Sequence, residues 1–198
     1  MIKAVSSFKN HPMKKDAVSA KHLPYLYIVA GLVAFYYSFV ITVEKIALIA
    51  DPSYLPSCSV SQTINCGNVM ASWQASLFGF PNPLLGIIGF AIVITIGFAM
   101  LSGATFRRWF WWGAQLGMTL ATIFVYWLFS QAVFSIHSLC PYCIIVWACT
   151  IPLFLYTTFY NLEAGYLVGI PVKVKPWVRV LCLALMYGVI LGAILYKF

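Results

Sequence analysis

Five long apolar runs, each about as long as a bilayer is thick, constrain this chain more than any other feature. The predicted spans are about Pro24–Val43, Leu84–Leu101, Trp109–Ala132, Cys140–Tyr160 and Trp177–Tyr196. A helix rises 1.5 Å per residue, so about 20 residues cross a hydrocarbon core about 30 Å thick. Only 8% of the 198 residues are charged, against about 25% in soluble domains. Because hydrocarbon cannot satisfy open backbone groups, the sequence predicts an all-α membrane protein.

The basic residues predict how this single integral membrane domain, residues 1–198, is oriented. Lysines and arginines favour the cytoplasmic side, which places inside the tail 1–23, the Arg107–Arg108 turn and the stretch Lys173–Arg179. The loop 44–83 and the short connection Val133–Leu139 are then extracytoplasmic. The net charge of +8 lies beside the apolar runs rather than in a stripe interleaved with aromatic residues, so a lipid bilayer is expected as partner and nucleic acid is not.

The extracytoplasmic loop contains a candidate short helix within Gly67–Phe80. Its apolar residues recur near helical spacing: Val69, Met70, Trp73, Leu77 and Phe80. Such a pattern is typical of an amphipathic half-helix that lies on the outer leaflet and caps the bundle. An irregular loop packed on the helix ends is the alternative.

The orientation sorts the six cysteines. Cys58 and Cys66 lie in the outer loop, and Cys140-Pro-Tyr-Cys143 begins the fourth span at its outer end. Disulfides persist on that side of a membrane, which is the oxidising side. The two remaining cysteines lie within spans, where a lone cysteine usually packs as a small apolar residue: Cys149 and Cys182.

The Cys-x-x-Cys pair at a helix start indicates redox chemistry. Unpaired N–H groups and the positive potential of a helix amino terminus stabilise a thiolate. This terminus also meets the lipid, within reach of a lipid-soluble electron acceptor. Two exchanging dithiol pairs explain the number, spacing and shared side of these cysteines. Two structural disulfides are one alternative; a four-thiolate zinc site is another, although the wide spacing between Cys58 and Cys66 does not suit it.

Three other polar residues near the outer face are weaker candidates. His137 could exchange a proton with an acceptor, although a lone interfacial histidine is more often solvated. Glu44 and Asp51 are interpreted as charges at the headgroup level. A non-catalytic membrane protein with stapled loops, such as a small transporter, is the alternative from another class. Span interiors nearly free of ionisable groups count against a transport pathway.

At these residues the sequence resembles the vitamin K epoxide reductase family, in its bacterial disulfide-forming branch. The resemblance covers about Pro24 to Glu163. An ordered set of motifs carries it: the loop pair Cys58 and Cys66, Ser72, the segment Phe80-Pro-Asn-Pro-Leu-Leu-Gly86, and Cys140-x-x-Cys143. The implied fold is a four-helix transmembrane bundle around a quinone pocket, with a fifth transmembrane helix beside it and the half-helix as a lid.

The resemblance also implies roles for the cysteines. Cys58 and Cys66 are the shuttle pair that takes electrons from a reduced thioredoxin-fold partner. Cys66 then exchanges with Cys140, and Cys143 engages the ring of a quinone, menaquinone or ubiquinone. No metal is expected at the site.

Three further residues are implied to bind the quinone or to stand near it. Family members place the asparagine that corresponds to Asn82 near a quinone oxygen, and the serine that corresponds to Ser72 near the loop cysteines. Animal members carry a tyrosine four residues after the second cysteine of Cys-x-x-Cys, where this chain has Trp147. Ring recognition is therefore expected to differ in detail.

The expected function is that of a quinone-dependent thiol oxidase in a bacterial cytoplasmic membrane. It would re-oxidise an extracytoplasmic, DsbA-like thioredoxin-fold protein and so drive disulfide formation in exported proteins. Many bacterial members continue into a fused thioredoxin-like domain, whereas this chain ends at Phe198, so the partner is expected to be a separate protein. Reduction of vitamin K, quinone or quinone epoxide in quinone recycling is the alternative within enzymes.

Overall fold

The computed structural model describes residues 18–198, with side chains from residue 21 onward, so most of the predicted basic tail 1–23 lies outside the described residues. The elements are α1 (Val18–Ala50), α2 (Cys66–Ala71), a 3-10 helix (Trp73–Ser76), α3 (Pro83–Leu101), α4 (Arg108–Ser130) with a π-helical extension (Gln131–Ile136), α5 (Pro141–Glu163) and α6 (Pro176–Lys197). Within the described range, α1, α3, α4, α5 and α6 are long and apolar enough to cross a membrane. The chain is an all-α, multi-pass membrane protein.

Two helices are longer than the sequence predicted. The 33 residues of α1 correspond to roughly 50 Å at 1.5 Å per residue, so the helix includes the start of the predicted loop 44–83. The connection predicted over Val133–Leu139 is mostly helical, because α4 continues through the π-helical extension to Ile136. That extension ends at His137, whose φ of 57° is left-handed and cannot continue a right-handed helix.

Glycines allow α1 and α3 to pack closely. A Cβ atom built on Gly97 would lie 3.0 Å from the carbonyl oxygen of Pro24, and one built on Gly31 would lie 2.8 Å from the Ile94 side chain. Small residues at such contacts let helix backbones approach each other in a membrane, where packing rather than hydrophobicity drives association. Helices α1, α3, α4 and α5 surround the central cavity described below, and α6 packs outside this group.

The fifth spanning helix is attached to the others by polar contacts. Tyr126 of α4 donates a hydrogen bond to the Met186 carbonyl at 2.9 Å. Tyr187 of α6 donates another to the Ala148 carbonyl at 2.6 Å. Near its start, Arg179 forms a buried ion pair with Glu163 at the end of α5. These contacts fix α6 against α4 and α5.

The predicted half-helix is two short segments rather than one helix. Helix α2 stops at Ala71, and the 3-10 helix starts at Trp73. The residues that point inward recur every four positions: Cys66, Met70 and Gln74. Most of the apolar set that predicted the helix is exposed, namely Trp73, Leu77 and Phe80, which suits contact with the outer leaflet. The two segments, residues 66–76, form a lid over the cavity.

The basic turns and the redox cysteines lie at opposite ends of the bundle. Arg108 donates to the carbonyl of Tyr166 at 2.9 Å, just after α5 ends, and Arg179 pairs with Glu163 in the last turn of α5. Cys140 precedes the first residue of the same helix. The structure therefore agrees with the charge pattern that separated Arg107–Arg108 from Cys58 and Cys140.

Candidate functional site: two cysteine pairs above an apolar cavity

The two loop cysteines form a disulfide. Cys58 and Cys66 have Cα atoms 5.6 Å apart, and both side chains are buried, at 5% and 0% exposure. Neighbouring side chains close the loop around them, since the Ser59 hydroxyl donates to Asn65 Oδ1 at 3.3 Å and accepts from the Gly67 N–H at 3.2 Å. The disulfide is thus held in a compact loop and shielded from solvent.

Backbone pairing aligns this loop with the Cys-x-x-Cys motif. Ile64 and Leu139 form an isolated parallel bridge. Leu139 N–H donates to the Thr63 carbonyl at 2.7 Å, and Asn65 N–H donates to the Leu139 carbonyl at 3.0 Å. The residue before Cys66 is therefore tied to the residue before Cys140.

This pairing places three sulfur atoms together. The Sγ atoms of Cys66 and Cys140 are 3.2 Å apart, and those of Cys58, Cys66 and Cys140 all lie within 4.8 Å of one another. Thiol–disulfide exchange requires a thiolate to attack a disulfide sulfur directly. Cys66 is the disulfide sulfur in contact with the Cys140 thiol, which makes it the natural partner in such an exchange.

The start of α5 favours a thiolate at Cys140. Cys140 is the N-cap, and its sulfur accepts the Cys143 N–H at 3.4 Å. The pKa of the Cys140 thiol is lowered, chiefly because the Cys143 side chain hydrogen-bonds to its sulfur. Backbone groups of Cys143 and Tyr142 add to the effect, while burial and the Glu44 charge oppose it. The backbone N–H groups at the start of α5 thus contribute to the lowered pKa of Cys140, but the Cys143 side chain contributes more.

Cys143 faces a large apolar cavity. The cavity has a volume of about 1050 Å³ and is lined from α1, the lid, α3, α4 and α5. No residue of α6 lines it. Because ligand pockets are typically apolar with few polar groups, this space beside a thiol suits a flat, apolar, reducible ring.

The comparison with known families decides the classification. The sequence profile of the vitamin K epoxide reductase family matches residues 25–158. The chain belongs to the vitamin K epoxide reductase family. A search of curated protein sequences returns no match. Membership in this oxidoreductase family agrees with two neighbouring cysteine pairs and with the spanning helices, and it makes the chain an oxidoreductase.

The other three site residues predicted from the family resemblance all line the cavity: Asn82, Ser72 and Trp147. Asn82 is buried, and it ties the lid to the start of α3, because Nδ2 donates to the Gln74 carbonyl at 2.6 Å and Oδ1 accepts from Leu77 N–H at 3.1 Å. Ser72 lies at the break in the lid and donates to the Val69 carbonyl at 2.7 Å. Trp147 is buried and packs edge-to-face on Phe129.

The cavity continues into a cleft between α3 and α4. The two helices hardly touch. Gly89 of α3 and Gly113 and Gly117 of α4 line the cavity, and no atom lies within 4 Å of a Cβ built on any of them. Trp109, at the opposite end from the cysteines, also lines it. The cavity therefore extends along α4 as a glycine-lined lateral cleft.

Sequence reasoning missed the part played by Glu44. It was interpreted as a headgroup-level charge, but its side chain is buried at 8% exposure and accepts hydrogen bonds from Ser57 and Tyr54 of the outer loop. The signal in the sequence was its position beside Lys45 inside an apolar run. The Asp51 side chain, by contrast, is exposed and accepts hydrogen bonds from nearby Ser53. His137 is also exposed.

The two remaining cysteines are half-buried among apolar side chains. Cys149 packs against the cluster that contains Trp111 and Tyr160. Cys182 packs against the cluster around Phe159 and Ile190. Neither takes part in the group of three sulfurs, which agrees with their predicted packing role.

Proposed function

We propose that this protein is a quinone-linked thiol oxidase of the disulfide-forming branch of its family. The observation that carries the proposal is a continuous path: Cys66 contacts Cys140 at 3.2 Å, and Cys143, three residues further along, faces the apolar cavity. The path starts in a loop that carries the shuttle disulfide and ends in an apolar cavity between membrane-spanning helices. It therefore links water-borne dithiols to a lipid-soluble acceptor.

The proposed relay moves two electrons through two exchanges. A dithiol of a thioredoxin-fold protein reduces the Cys58–Cys66 disulfide and leaves as a disulfide. Cys66 thiolate then attacks Cys140 of an oxidised Cys140–Cys143 pair and frees Cys143. Attack of Cys58 on Cys66 restores the loop disulfide and leaves Cys140 and Cys143 as thiols. The structure has this last distribution, with the loop pair joined and the other two cysteines free.

The cavity provides the final step of the relay. Cys140 and Cys143 would give up two electrons and two protons to a quinone bound there and return to their disulfide. Asn82 lines the cavity and donates one Nδ2 proton to the Gln74 carbonyl. Its second Nδ2 proton is the proposed donor to a ring oxygen. Trp147 would pack against the ring. Menaquinone or ubiquinone is the proposed acceptor, because the lining of the cavity is mostly apolar.

The proposed location is a bacterial cytoplasmic membrane, with the cysteines on the extracytoplasmic side. Arg108 and Arg179 lie at the opposite end of the bundle from Cys140, and basic residues favour the cytoplasmic side. The oxidising compartment would then face the shuttle loop, as the chemistry requires.

The direct test follows hydroquinone formation under anaerobic conditions. Purified protein is mixed with a reduced DsbA-like protein and with menaquinone or ubiquinone. We expect hydroquinone and oxidised partner in equal amounts, loss of both in Cys140→Ala, and little change in the matched variant Cys149→Ala. Preferential reduction of a quinone epoxide would support the recycling role instead. No turnover with any dithiol would favour a structural role for the disulfide.

The lateral cleft makes a second prediction. Gly117→Leu places a bulky side chain where the cleft is empty, so the KM for a long-tailed quinone should rise about tenfold or more, since one poorly accommodated group is worth about 1–3 kcal/mol. A quinone without an isoprenoid tail should be affected little. Gly188→Leu is the control, because Gly188 also has open space around it but lies on α6, outside the cavity. Equal effects on both quinones would contradict a tail path through the cleft.

A further inference from the structure

The buried carboxylate of Glu44 accepts hydrogen bonds from the residue next to Cys58 in the shuttle loop. Ser57 donates from its hydroxyl to Glu44 Oε1 at 2.6 Å, and its backbone N–H lies 3.2 Å from Oε2. Tyr54 donates its hydroxyl to Oε2 at 3.2 Å. Hydrogen bonds to an ionised acceptor are about twice as strong as neutral ones. One side chain of α1 therefore holds two residues of the loop.

The same chain of hydrogen bonds reaches the Cys-x-x-Cys motif. The Ser57 hydroxyl gives its only proton to Glu44, so it accepts the proton of the Tyr142 hydroxyl, 3.0 Å away. Tyr142 stands between Cys140 and Cys143, and its ring packs on Tyr37 of α1 at 5.4 Å. Glu44, Ser57 and Tyr142 thus connect α1, the residue before Cys58 and the residue between the two motif cysteines.

The disulfide is buried, so the hydrogen bonds that close the loop also control access to its sulfur atoms. With Cys58 5% exposed and Cys66 fully buried, no partner thiol can reach either sulfur while the loop is closed. The same closed loop places Cys66 in contact with Cys140. One arrangement serves internal exchange, and a different one must admit the partner.

We propose that Glu44 is a positioning residue that latches the shuttle loop through Ser57, and thereby sets the balance between internal exchange and access for a partner thiol. The inference rests on the proposed relay. With the latch closed, Cys140 thiolate can attack Cys66: the Cys66–Cys140 bond forms, the Cys58–Cys66 bond breaks, and Cys58 leaves as a thiolate that takes up the proton lost by Cys140. With the latch open, an external thiol can attack the loop disulfide instead.

The test measures the two reactions separately, without quinone or protein partner. The first readout is the rate at which glutathione reduces the Cys58–Cys66 disulfide. The second is the fraction of Cys66–Cys140 disulfide at equilibrium in a Cys143→Ser background, found by peptide mapping. Ser57→Ala removes the hydroxyl from an exposed position and leaves the buried core unchanged. The variant should raise the rate of reduction by glutathione about tenfold and lower the fraction of Cys66–Cys140 disulfide. The reason is that a hydrogen bond to a charged group is worth about 1.5–3 kcal/mol.

Matched variants separate a latch from a general loss of structure. Glu44→Gln should change both readouts in the same directions as Ser57→Ala, and Ser57→Thr, which keeps the hydroxyl, should restore them. Ser53→Ala removes a hydroxyl that bonds Asp51 in the same loop and should change neither. If Ser57→Ala leaves both values unaltered, or if both follow only the melting temperature, the latch is rejected. The proposed oxidase activity would stand in that case, because no quinone turnover enters the measurement.

Discussion

Replacing Cys143 by serine is expected to stop quinone reduction and to accumulate a disulfide between Cys66 and Cys140. The variant keeps the thiol that contacts the shuttle disulfide at 3.2 Å but loses the one that faces the cavity. Cys140 thiolate can still attack Cys66 and form the bond between loop and helix. Cys143 is no longer present to release Cys140 from that bond, so only the return attack of Cys58 on Cys66 reverses it. Peptide mapping under non-reducing conditions identifies the joined peptides.

The controls for this experiment are the two cysteines that pack among apolar side chains. Cys149→Ala and Cys182→Ala should retain nearly full turnover and give no interloop disulfide. A Cys58–Cys140 product would reverse the roles of the two loop thiols, because all three sulfurs lie within 4.8 Å of one another. Recovery of only the Cys58–Cys66 disulfide, with full turnover, would reject the relay.

Arg179→Ala is expected to destabilise the protein by about 3–5 kcal/mol, because it leaves the Glu163 carboxylate buried without its partner. The side chains of this ion pair are only 8% and 9% exposed. Arg179 also stands over the Phe159 ring, 5.8 Å from its centroid. The loss should detach the start of α6 first, since the pair joins it to the end of α5. Thermal unfolding in detergent measures the effect.

Two further variants show whether burial causes the effect. Lys175→Ala removes an equal charge from an exposed position one turn away and should change stability by less than about 0.5 kcal/mol. The double variant Arg179→Met with Glu163→Leu should recover most of the loss, since well-packed apolar residues often replace a buried pair without cost. If Arg179→Ala lowers the stability no more than Lys175→Ala does, the structural role of the ion pair is contradicted.

The sequence predicted the spanning helices well because their cause is local. Runs such as Leu84–Leu101 exclude water over their whole length, and the structure places α3 at Pro83–Leu101. Helix ends were less predictable. The continuation of α1 to Ala50 and of α4 to Ile136 depends on contacts above the bilayer, where hydropathy no longer marks the boundary.

The lid shows what periodicity leaves open. Spacing alone predicted one short amphipathic helix on the outer leaflet. Near a membrane, apolar side chains can point outward as readily as inward, so hydropathy does not identify the inner face. What fixes the lid is polar: Asn82 bonds the backbone of Gln74 and Leu77. The helical periodicity of the apolar residues gives no indication of these contacts.

The chemistry of the site was predictable in part. The cysteines and their shared side followed from topology. The contact between Cys66 and Cys140 was to be expected from the exchange that the family resemblance implies. The cause of that contact, the pairing of Ile64 with Leu139, is a long-range backbone interaction with no side-chain signature. Glu44 was misinterpreted for a similar reason, because its partners Ser57 and Tyr54 are ordinary loop residues until the chain folds.

The lateral cleft has a kinetic consequence if the proposed relay operates. A protein dithiol arrives from the aqueous side above the shuttle loop, while an isoprenoid carrier enters sideways past Gly113 and Gly117. The two reactants enter by separate routes, so a high concentration of either one should not inhibit binding of the other. Double-reciprocal plots of initial velocity should then give parallel lines. This pattern is typical of a ping-pong enzyme, which holds electrons between its reactions with two substrates.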